Sequence, residues 1–463
     1  MDGRRPISSL NPTIHPRALG VRTHQKNNKS QIMTIRNQLC VLGLCLTSTQ
    51  LLANGLQINE QSISSGGKAY SGRASDVQDA SIVYGNPAGM SRLAGEHVSG
   101  GLSFIDVSSR ISNVNATVSG TSHGDMVPDP IVVPSGFYTL QLNDDWHVGF
   151  GVYAPFGGST DYESNFQGRY RSSQTQVKVV TLQPTVSYRI NDRLSVGFGP
   201  TINRIDGLLE SKIANSAVGG QGDGTVKVTG DDTAMGFSLG ILFDPLDDLT
   251  LGLTYHSRVD YKLSGKTKVS GANGLLAPIP GLGLPGLNGK YDASLDFTSP
   301  ETVDASATWR INDRLDVSAG ALWSRWSRVQ ELRVLNSGVP QAYGPFDTIL
   351  ETLKWRDTWS FSTGMSYRLN KQWKVRGGIA YEPTPMPNQY TSTRAPTGDR
   401  KIFTVGLNWQ MTDQTSLDLG YGYIHEDPVK VSQDTFQGGL RPGYSATYQN
   451  TVNGLGLQLN HSF

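Results

Sequence analysis

An all-β fold, a fourteen-stranded antiparallel transmembrane β-barrel with an N-terminal plug in its lumen, is what this sequence predicts. Three observations predict it: a hairpin-turn motif that recurs along the chain, strict apolar–polar alternation beside each copy, and an alternating final segment that ends on Phe463. Composition narrows the field first. The 463 residues include 53 glycines, 18 Tyr, 14 Phe and 8 Trp, and only 17% are charged. Glycine is thus about 11% of the chain against a usual ~7%. No run of ~18 apolar residues occurs, which excludes a helical membrane protein. The aromatic content excludes a disordered chain. A formal net charge of +1 carries no polyanion-binding signature, so nucleic acid is not an expected partner.

The turn motif reads YRINDRL at 188–194, WRINDRL at 309–315 and YRLNKQW at 367–373. Looser copies are LQLNDDW at 140–146, WQMTDQT at 409–415 and FDPLDDL at 243–249. Asn, Asp or Thr-Asp between two alternating runs is the chemistry of a tight hairpin turn. The aromatic or large apolar residue flanking each turn suits an interfacial girdle. The runs alternate: Leu417, Leu419, Tyr421 and Tyr423 share one face, Asp418, Gly420 and Gly422 the other. Phe403, Val405, Leu407 and Trp409, and likewise Trp359, Phe361, Met365 and Tyr367, face residues of small or polar type. Runs of about ten residues with a glycine- and serine-rich second face suit lipid outside and a polar lumen.

Long irregular segments separate these hairpins, at 111–129, 155–172, 213–229, 265–290, 336–350, 384–398 and 431–445. Six short turns join twelve strands, and one strand at each end makes fourteen. Short turns on one side and long loops on the other is the pattern of an outer-membrane barrel. The last strand alternates Leu455, Leu457 and Leu459 against Gly456, Gln458 and Asn460. Its terminal Phe463 is the type of signal read by the barrel-assembly machinery.

The N-terminus divides into three. Residues 33–53 join a basic residue, Arg36, to a short apolar stretch ending at Ala53, the form of a secretory signal peptide. The only two cysteines, Cys40 and Cys45, lie in it. Cleavage after Ala53 leaves a chain without disulfides or thiolate metal sites. Residues 1–32 carry six Lys/Arg and one Asp without periodicity and read as a mis-assigned upstream extension, a targeting arm being the alternative. Residues 54–95 do not alternate and are rich in Gly, Ser and Ala. Such a segment cannot span lipid, because its backbone would be unsatisfied there, but it can plug the lumen. The barrel then occupies 96–463.

With GKAYSG at 67–72, Asp79-Ala80-Ser81, Asn86-Pro87-Ala88, fourteen strands and the terminal Phe463, the chain resembles the FadL/TodX family of outer-membrane transporters for long-chain fatty acids and other hydrophobic molecules. The resemblance implies a hatch at 54–95 and a kinked third strand that opens a lateral window into the bilayer beside Asn86, Pro87 and Ala88. Here that strand begins at Trp146 and breaks at Ala154, Pro155, Gly157 and Gly158, where proline lacks a ladder donor and glycine weakens pairing. Pro134 in the preceding strand would leave a matching gap. A strand that simply ends there is the alternative. The resemblance also implies capture of substrate in an apolar groove of external loops. The loop at 265–290 carries Leu275, Leu276, Ile279, Leu282 and Leu284, an apolar composition unusual for an exposed loop. A loop folded over the barrel mouth without ligand is the alternative.

Candidate partners for a ligand carboxylate are Arg189, Arg310 and Arg368, which hold equivalent places in three turn motifs; the resemblance further implies a basic residue near the end of the fifth strand, for which Lys212 is the nearest candidate. The arginines read equally as ion-pair partners of Asp76, Asp79 or the turn aspartates. Lys374 and Arg376 face the lumen near the same rim. Other chemistry is absent. Gly236-Phe-Ser-Leu-Gly240 spells a nucleophile elbow but lies in a continuous alternating strand, without the strand–turn–helix that catalysis needs. Gly281 to Gly286 spells a dinucleotide fingerprint without a βαβ unit. The eight histidines have no metal-ligand spacing, so no metal or cofactor is expected. The expectation is a passive, non-enzymatic channel in the bacterial outer membrane that takes up long-chain fatty acids. Its partners would be that ligand, outer-membrane lipid and lipopolysaccharide, and the barrel-assembly machinery. Uptake of aromatic hydrocarbons, a general porin and an adhesin are the rivals.

Overall fold

Five of the six turns are closed by one side chain. In a computed structural model that describes residues 55–122, 126–127 and 130–463, Asn191 Oδ1 accepts the backbone N–H groups of Arg193 and Leu194, both at 2.9 Å. Asn143, Asn312 and Asn370 repeat this on their own i+2 and i+3 amides, and Thr412 does so with its hydroxyl. A short side chain that mimics a backbone turn needs nothing from the rest of the fold, so these turns recur wherever the spelling does. The extension at 1–32, the signal peptide at 33–53 and its cleavage point lie outside the described residues.

Twenty strand segments build the wall. They are β1 (Glu96–Ala116), β2 (Ile131–Gln141), β3 (Trp146–Tyr153), β4 (Gly157–Asp161), β5 (Gln174–Asn191), β6 (Leu194–Ala214) and β7 (Asp223–Leu246). Then follow β8 (Leu249–His256), β9 (Val259–Ser270), β10 (Gly289–Ser299), β11 (Thr302–Arg310), β12 (Leu315–Ser324), β13 (Glu331–Ser337) and β14 (Thr348–Thr352). The wall ends with β15 (Thr358–Arg368), β16 (Trp373–Glu382), β17 (Arg400–Gln410), β18 (Thr415–Glu426), β19 (Val429–Gln433) and β20 (Tyr444–Ser462). The pairs β3/β4, β8/β9, β10/β11, β12/β13, β14/β15 and β18/β19 are each one stave interrupted by an irregularity, giving a closed antiparallel barrel of fourteen staves. Closure runs from His97↔Ser462 to Ala116↔Tyr444 between β1 and β20. Lipid-facing side chains such as Leu455, Leu457, Phe403, Val405 and Phe361 are exposed, and at the turn end Trp146 and Tyr188 meet at a tilt while Trp373 and Trp409 stack.

Several expected loops are shorter than the sequence implied. The segment 213–229 is mostly strand: β6 runs to Ala214 and β7 starts at Asp223. Likewise β9 runs to Ser270 and β10 starts at Gly289, and β1 continues to Ala116. These strands rise above the lipid, where outward positions become polar. Val226 and Val228 pack inward here while Thr225, Lys227 and Thr229 alternate with them, the reverse of the apolar-outward pattern that marks a lipid-facing strand.

The lumen is filled by residues 55–95, with two single-turn helices, α1 (Ile63–Gly66) and α2 (Ile82–Gly85), and a 3₁₀ segment at Pro87–Arg92. This plug rests directly on wall glycines. A Cβ at Gly420 or Gly456 would meet Ile63, and one at Gly364 the Lys68 carbonyl at 2.6 Å. Cβ atoms at Gly378, Gly252, Gly240 and Gly197 would overlap the backbone of Lys68, Ala74, Ala88 and Pro87. Other staves offer hydroxyls: Ser99 and Ser306 accept the Ala80 and Ala74 amides at 3.1 Å, and Ser187 donates to the Ala88 carbonyl. Buried ion pairs tie the same surfaces, Lys68 with Asp76 inside the plug and Arg73 with Asp304 of the wall at 3.3 Å.

Gly378→Leu should therefore unseat the plug while the barrel still folds. The expected signature is normal heat-modifiable migration with a raised ion conductance in planar bilayers. Gly422→Ala, where the nearest atom to a Cβ lies at 3.6 Å, should match the parent in both.

Candidate functional site

Above the plug, on one side of the lumen, lies an apolar, partly open cavity. The wall makes room for it with a row of residues that carry almost no side chain. Gly207 of β6 pairs with Gly230 of β7, Gly230 with Gly265 of β9, and Gly265 with Ala293 of β10. Leu263, Leu295, Phe297 and Leu332 line the sides. The floor comes from two inward breaks in neighbouring staves. Trp326, between β12 and β13, is fully buried, and its ring meets Trp355, between β14 and β15, at 5.1 Å in a T-shaped contact. The roof is the loop 383–399, which turns into the lumen and buries Ser392, Thr393 and Arg394.

Arg394 is the cationic end of this cavity. Its Nε donates to Glu351 at 2.7 Å, and its guanidinium also reaches the hydroxyls of Thr175 at 3.2 Å and Ser172 at 3.4 Å. Arg171 and Arg441 stand behind it. Burial pushes the Arg441 guanidinium down to about 10, with Arg394 and Arg171 pushing the same way and Glu351 opposing. Burial lowers Arg171 as well, against Glu351 and Asp434. Three arginines face two carboxylates, Glu351 and Asp434, so the cavity end keeps an excess of positive charge in a partly dehydrated place, which favours an anion.

The floor is also a joint between plug and wall. The third stave breaks between β3 and β4, and the chain at the break pairs with the plug instead of with β2. Ile58 N–H donates to the Pro155 carbonyl at 2.9 Å, and Gly157 N–H to the Leu56 carbonyl at 2.7 Å. Gln61 Nε2 donates to the Ala154 carbonyl at 2.6 Å. The β2–β3 ladder stops at Gly136↔Val152, so Ile131–Ser135 of β2, Pro134 included, pair on the β1 side only. Phe156 packs with Leu56 and Trp326 beneath the cavity, whereas Ala154 belongs to a second apolar cluster with Ile131, Val133 and Ile105. The Leu56–Phe156 joint thus separates the cavity from the gap in the wall.

Residues 44–463 match the family model described as outer membrane protein transport protein (OMPP1/FadL/TodX). The chain belongs to this family. A FadL/TodX member is an outer-membrane transport barrel, and this chain shares that location and fold. It is 26% identical over 456 residues to the long-chain fatty acid transport protein of Escherichia coli O6:H1 (strain CFT073), covering 94% of this chain and all of the relative. The crystal structure of a Pseudomonas aeruginosa FadL homologue superposes with a TM-score of 0.78 at 23% identity, covering 88% of this chain and all of that one. The Pseudomonas putida toluene transporter TodX superposes with a TM-score of 0.60 at 18% identity, covering 85% and 97%.

Several predicted site residues of this FadL/TodX chain lie elsewhere than expected. Asn86, Pro87 and Ala88 do not border the third-stave gap. They press on Gly197 and Gly240 of β6 and β7, with Asn86 Nδ2 donating to the Ile241 carbonyl at 2.9 Å. It is their neighbours Val83 and Met90 that pack beneath the gap, against Gly149 of β3. The hatch crosses the lumen between these residues, which no local spacing reveals. Lys212 does not line the cavity; it pairs with Glu210 at 2.9 Å and donates to Thr225, on the extended tip of β6. Arg189 donates to the Ser91 carbonyl at 2.5 Å and so holds the plug. Arg310 is exposed at the turn rim, where Arg368 donates to the Asp313 carbonyl. Arg376 pairs with Asp418 at 2.5 Å, and Lys374 donates to Gln78. In the external loop, Leu275 and Leu284 are exposed and Ile279 is half-buried, whereas Leu276 is buried with Leu287 and Tyr343; Leu282 lies in a short 3₁₀ turn, Pro280–Leu282. Phe463 donates its N–H to the Glu96 carbonyl at 3.0 Å and leaves its ring exposed beside His461. Arg394, Trp326 and Trp355 were missed, because each lies in an irregular segment.

Gly207→Leu tests the cavity itself. A Cβ there would sit 3.4 Å from Leu263, an ordinary contact, so the barrel should assemble normally while the added side chain fills the pocket. Ligand-dependent quenching of tryptophan fluorescence from the Trp326–Trp355 pair should fall by roughly tenfold or more in apparent affinity.

Proposed function

We propose that the protein is a passive outer-membrane channel for long-chain fatty acids, with lateral exit to the bilayer through the third-stave gap. The observation that carries the reading is an apolar cavity with Arg394 and two further arginines at its upper end. A ligand with a long apolar body and one terminal anion matches both parts. The hatch favours a selective route over a general porin, since residues 55–95 fill the lumen. The Escherichia coli relative, matched over its whole length, bears the name long-chain fatty acid transport protein.

On this reading the exposed Leu275 and Leu284 first meet the ligand, the tail enters the cavity beneath the loop 383–399, and its carboxylate replaces Glu351 as a partner of Arg394. Movement of the Leu56–Phe156 joint then opens the way to the second apolar cluster and the gap beside Pro134, Ala154, Pro155, Gly157 and Gly158. Lateral exit keeps the tail out of water throughout. Each CH₂ so shielded is worth about 0.8 kcal/mol, which is why a descent into the periplasm is disfavoured for a long chain.

Two substitutions test the two halves. Arg394→Met should weaken binding of a sixteen-carbon fatty acid by roughly 10–100-fold, the value of a charge-assisted hydrogen bond, and leave binding of the corresponding neutral alkane nearly unchanged. Equal losses for both ligands would favour neutral hydrocarbons, the substrates named for TodX, over fatty acids. Ala154→Arg places a bulky charge at the gap and should lower uptake into cells at least about tenfold, with little change in equilibrium binding at the cavity. Parental uptake by a folded Ala154→Arg protein would move the exit elsewhere.

A further inference from the structure

The wall has a second interruption, on the opposite side of the cavity from the third-stave gap's own cluster. The ladder between β7 and β9 ends at Asp231↔Ser264, and the ladder between β7 and β8 begins only at Ser238↔His256. Residues 232–236 therefore face 258–263 without ladder pairs, below which the Ser257 N–H donates to the Phe237 carbonyl at 2.8 Å. An ordinary bulge leaves one extra residue unpaired, so this break is of another size. The alternation also changes phase across it. Thr254 and Gly252 face inward below, and Val259, Tyr261 and Leu263 face inward above.

Side chains occupy the places of the missing backbone bonds. Asp232 accepts the Lys262 N–H at 2.7 Å, and Ser257 Oγ accepts the Phe237 N–H at 2.8 Å. Such substitutes hold the strands apart at a small cost in unsatisfied backbone. The inner side of the break belongs to the cavity. Val259, Tyr261 and Leu263 are buried in the cluster that contains Trp326 and Trp355, and Ala234 packs against them. Leu263, Gly230 and Gly265 line the cavity immediately above. The outer side lies where the wall leaves the lipid. Phe237, Leu239, Ile241 and Phe243 form an exposed apolar row, and Met235 at its top is 73% exposed. Thr233 and Asp231 follow, with the pairs Arg204–Asp231 at 3.0 Å and Arg258–Asp260 at 3.1 Å around the mouth.

We infer that the break between β7 and β9 is a second lateral portal, through which the tail of a single-chain amphiphile passes between the cavity and the outer leaflet at headgroup depth. It rests on the reading of the cavity as a fatty-acid site, and it gives that site an entrance from the membrane in addition to the external loops. Tyr261 closes the portal from inside, and Asp232 latches it through the Lys262 amide. The charged pairs at the mouth suit a polar head that stays at the interface while the tail turns inward.

The test uses the full chain, with Cys40 and Cys45 replaced by Ser, inserted in vesicles that contain pyrene-labelled hexadecanoate. Tryptophan quenching reports equilibrium occupancy, and its time course reports exchange with the bilayer. Asp232→Ala removes the latch and should speed exchange about three- to tenfold, the factor for one hydrogen bond lost from the closed state. Asp232→Asn, which retains an acceptor, should stay near the parent. A Thr233→Cys/Lys262→Cys pair, oxidised, should slow exchange relative to the same protein reduced, with occupancy unaltered. Parental exchange in both Asp232→Ala and the oxidised pair would overturn the portal. Absence of quenching in the parent protein would instead overturn the fatty-acid reading, and the portal with it.

Discussion

The close seat of the hatch on a ring of wall glycines is the constraint from which the rest of this molecule follows. Backbone of the plug lies against backbone of the barrel at Gly364, Gly378, Gly252, Gly240 and Gly197. Any side chain there would overlap the plug, so the inward face of these staves must be nearly bare at one level. That requirement accounts for the glycine-rich second face of the alternating strands. It also fixes the height of everything above. The joint of Leu56 and Ile58 with Pro155 and Gly157 can form only if residues 63–91 are already seated, and the floor of the cavity is that joint together with Trp326.

A plug held by so many short contacts, and by buried pairs such as Lys68–Asp76 and Arg73–Asp304, is a poor candidate for wholesale displacement. Removing one partner of a buried pair costs ~3–5 kcal/mol, and several would have to part together. Motion is cheaper at the N-terminal edge of the plug, where only a few residues join the third stave. The molecule therefore divides into a fixed base and a small adjustable joint. Apolar compartments lie on both sides of that joint, which is where a rearrangement would have an effect on hydrophobic ligands.

How far the sequence discloses this depends on the range of the physics. The turns were legible because Asn191, Asn312 and Asn370 satisfy amides only two and three residues away. Strand count and lipid face were legible because period-two alternation is local. The break at Ala154–Gly157 was legible because proline and glycine act on their own backbone. The position of Asn86, Pro87 and Ala88 was not, since it depends on the path of the hatch across the lumen. The tips of β6 and β7 resemble loop in sequence because, above the lipid, their outward face turns polar. Arg394 was invisible for a related reason: a basic residue in an irregular polar segment reads as solvated, and only the inward fold of 383–399 brings it to Thr175 and Glu351. Lys212, placed by the resemblance near the end of the fifth strand, has as its carboxylate partner Glu210, two residues away on the same strand.

The self-contained turns bear on how such a wall comes into existence. Because each Asn closes its own hairpin, a pair of adjacent staves is a unit whose connection is already correct before any neighbour arrives. A growing sheet can then add hairpins one after another at its open edge, with register passed on by the strand already in place. Lengthening or shortening the chain by a whole hairpin would preserve every remaining connection, whereas the loss of a single strand would put one turn on the wrong side of the membrane. Evenness of the strand number is thus a by-product of where the asparagines sit.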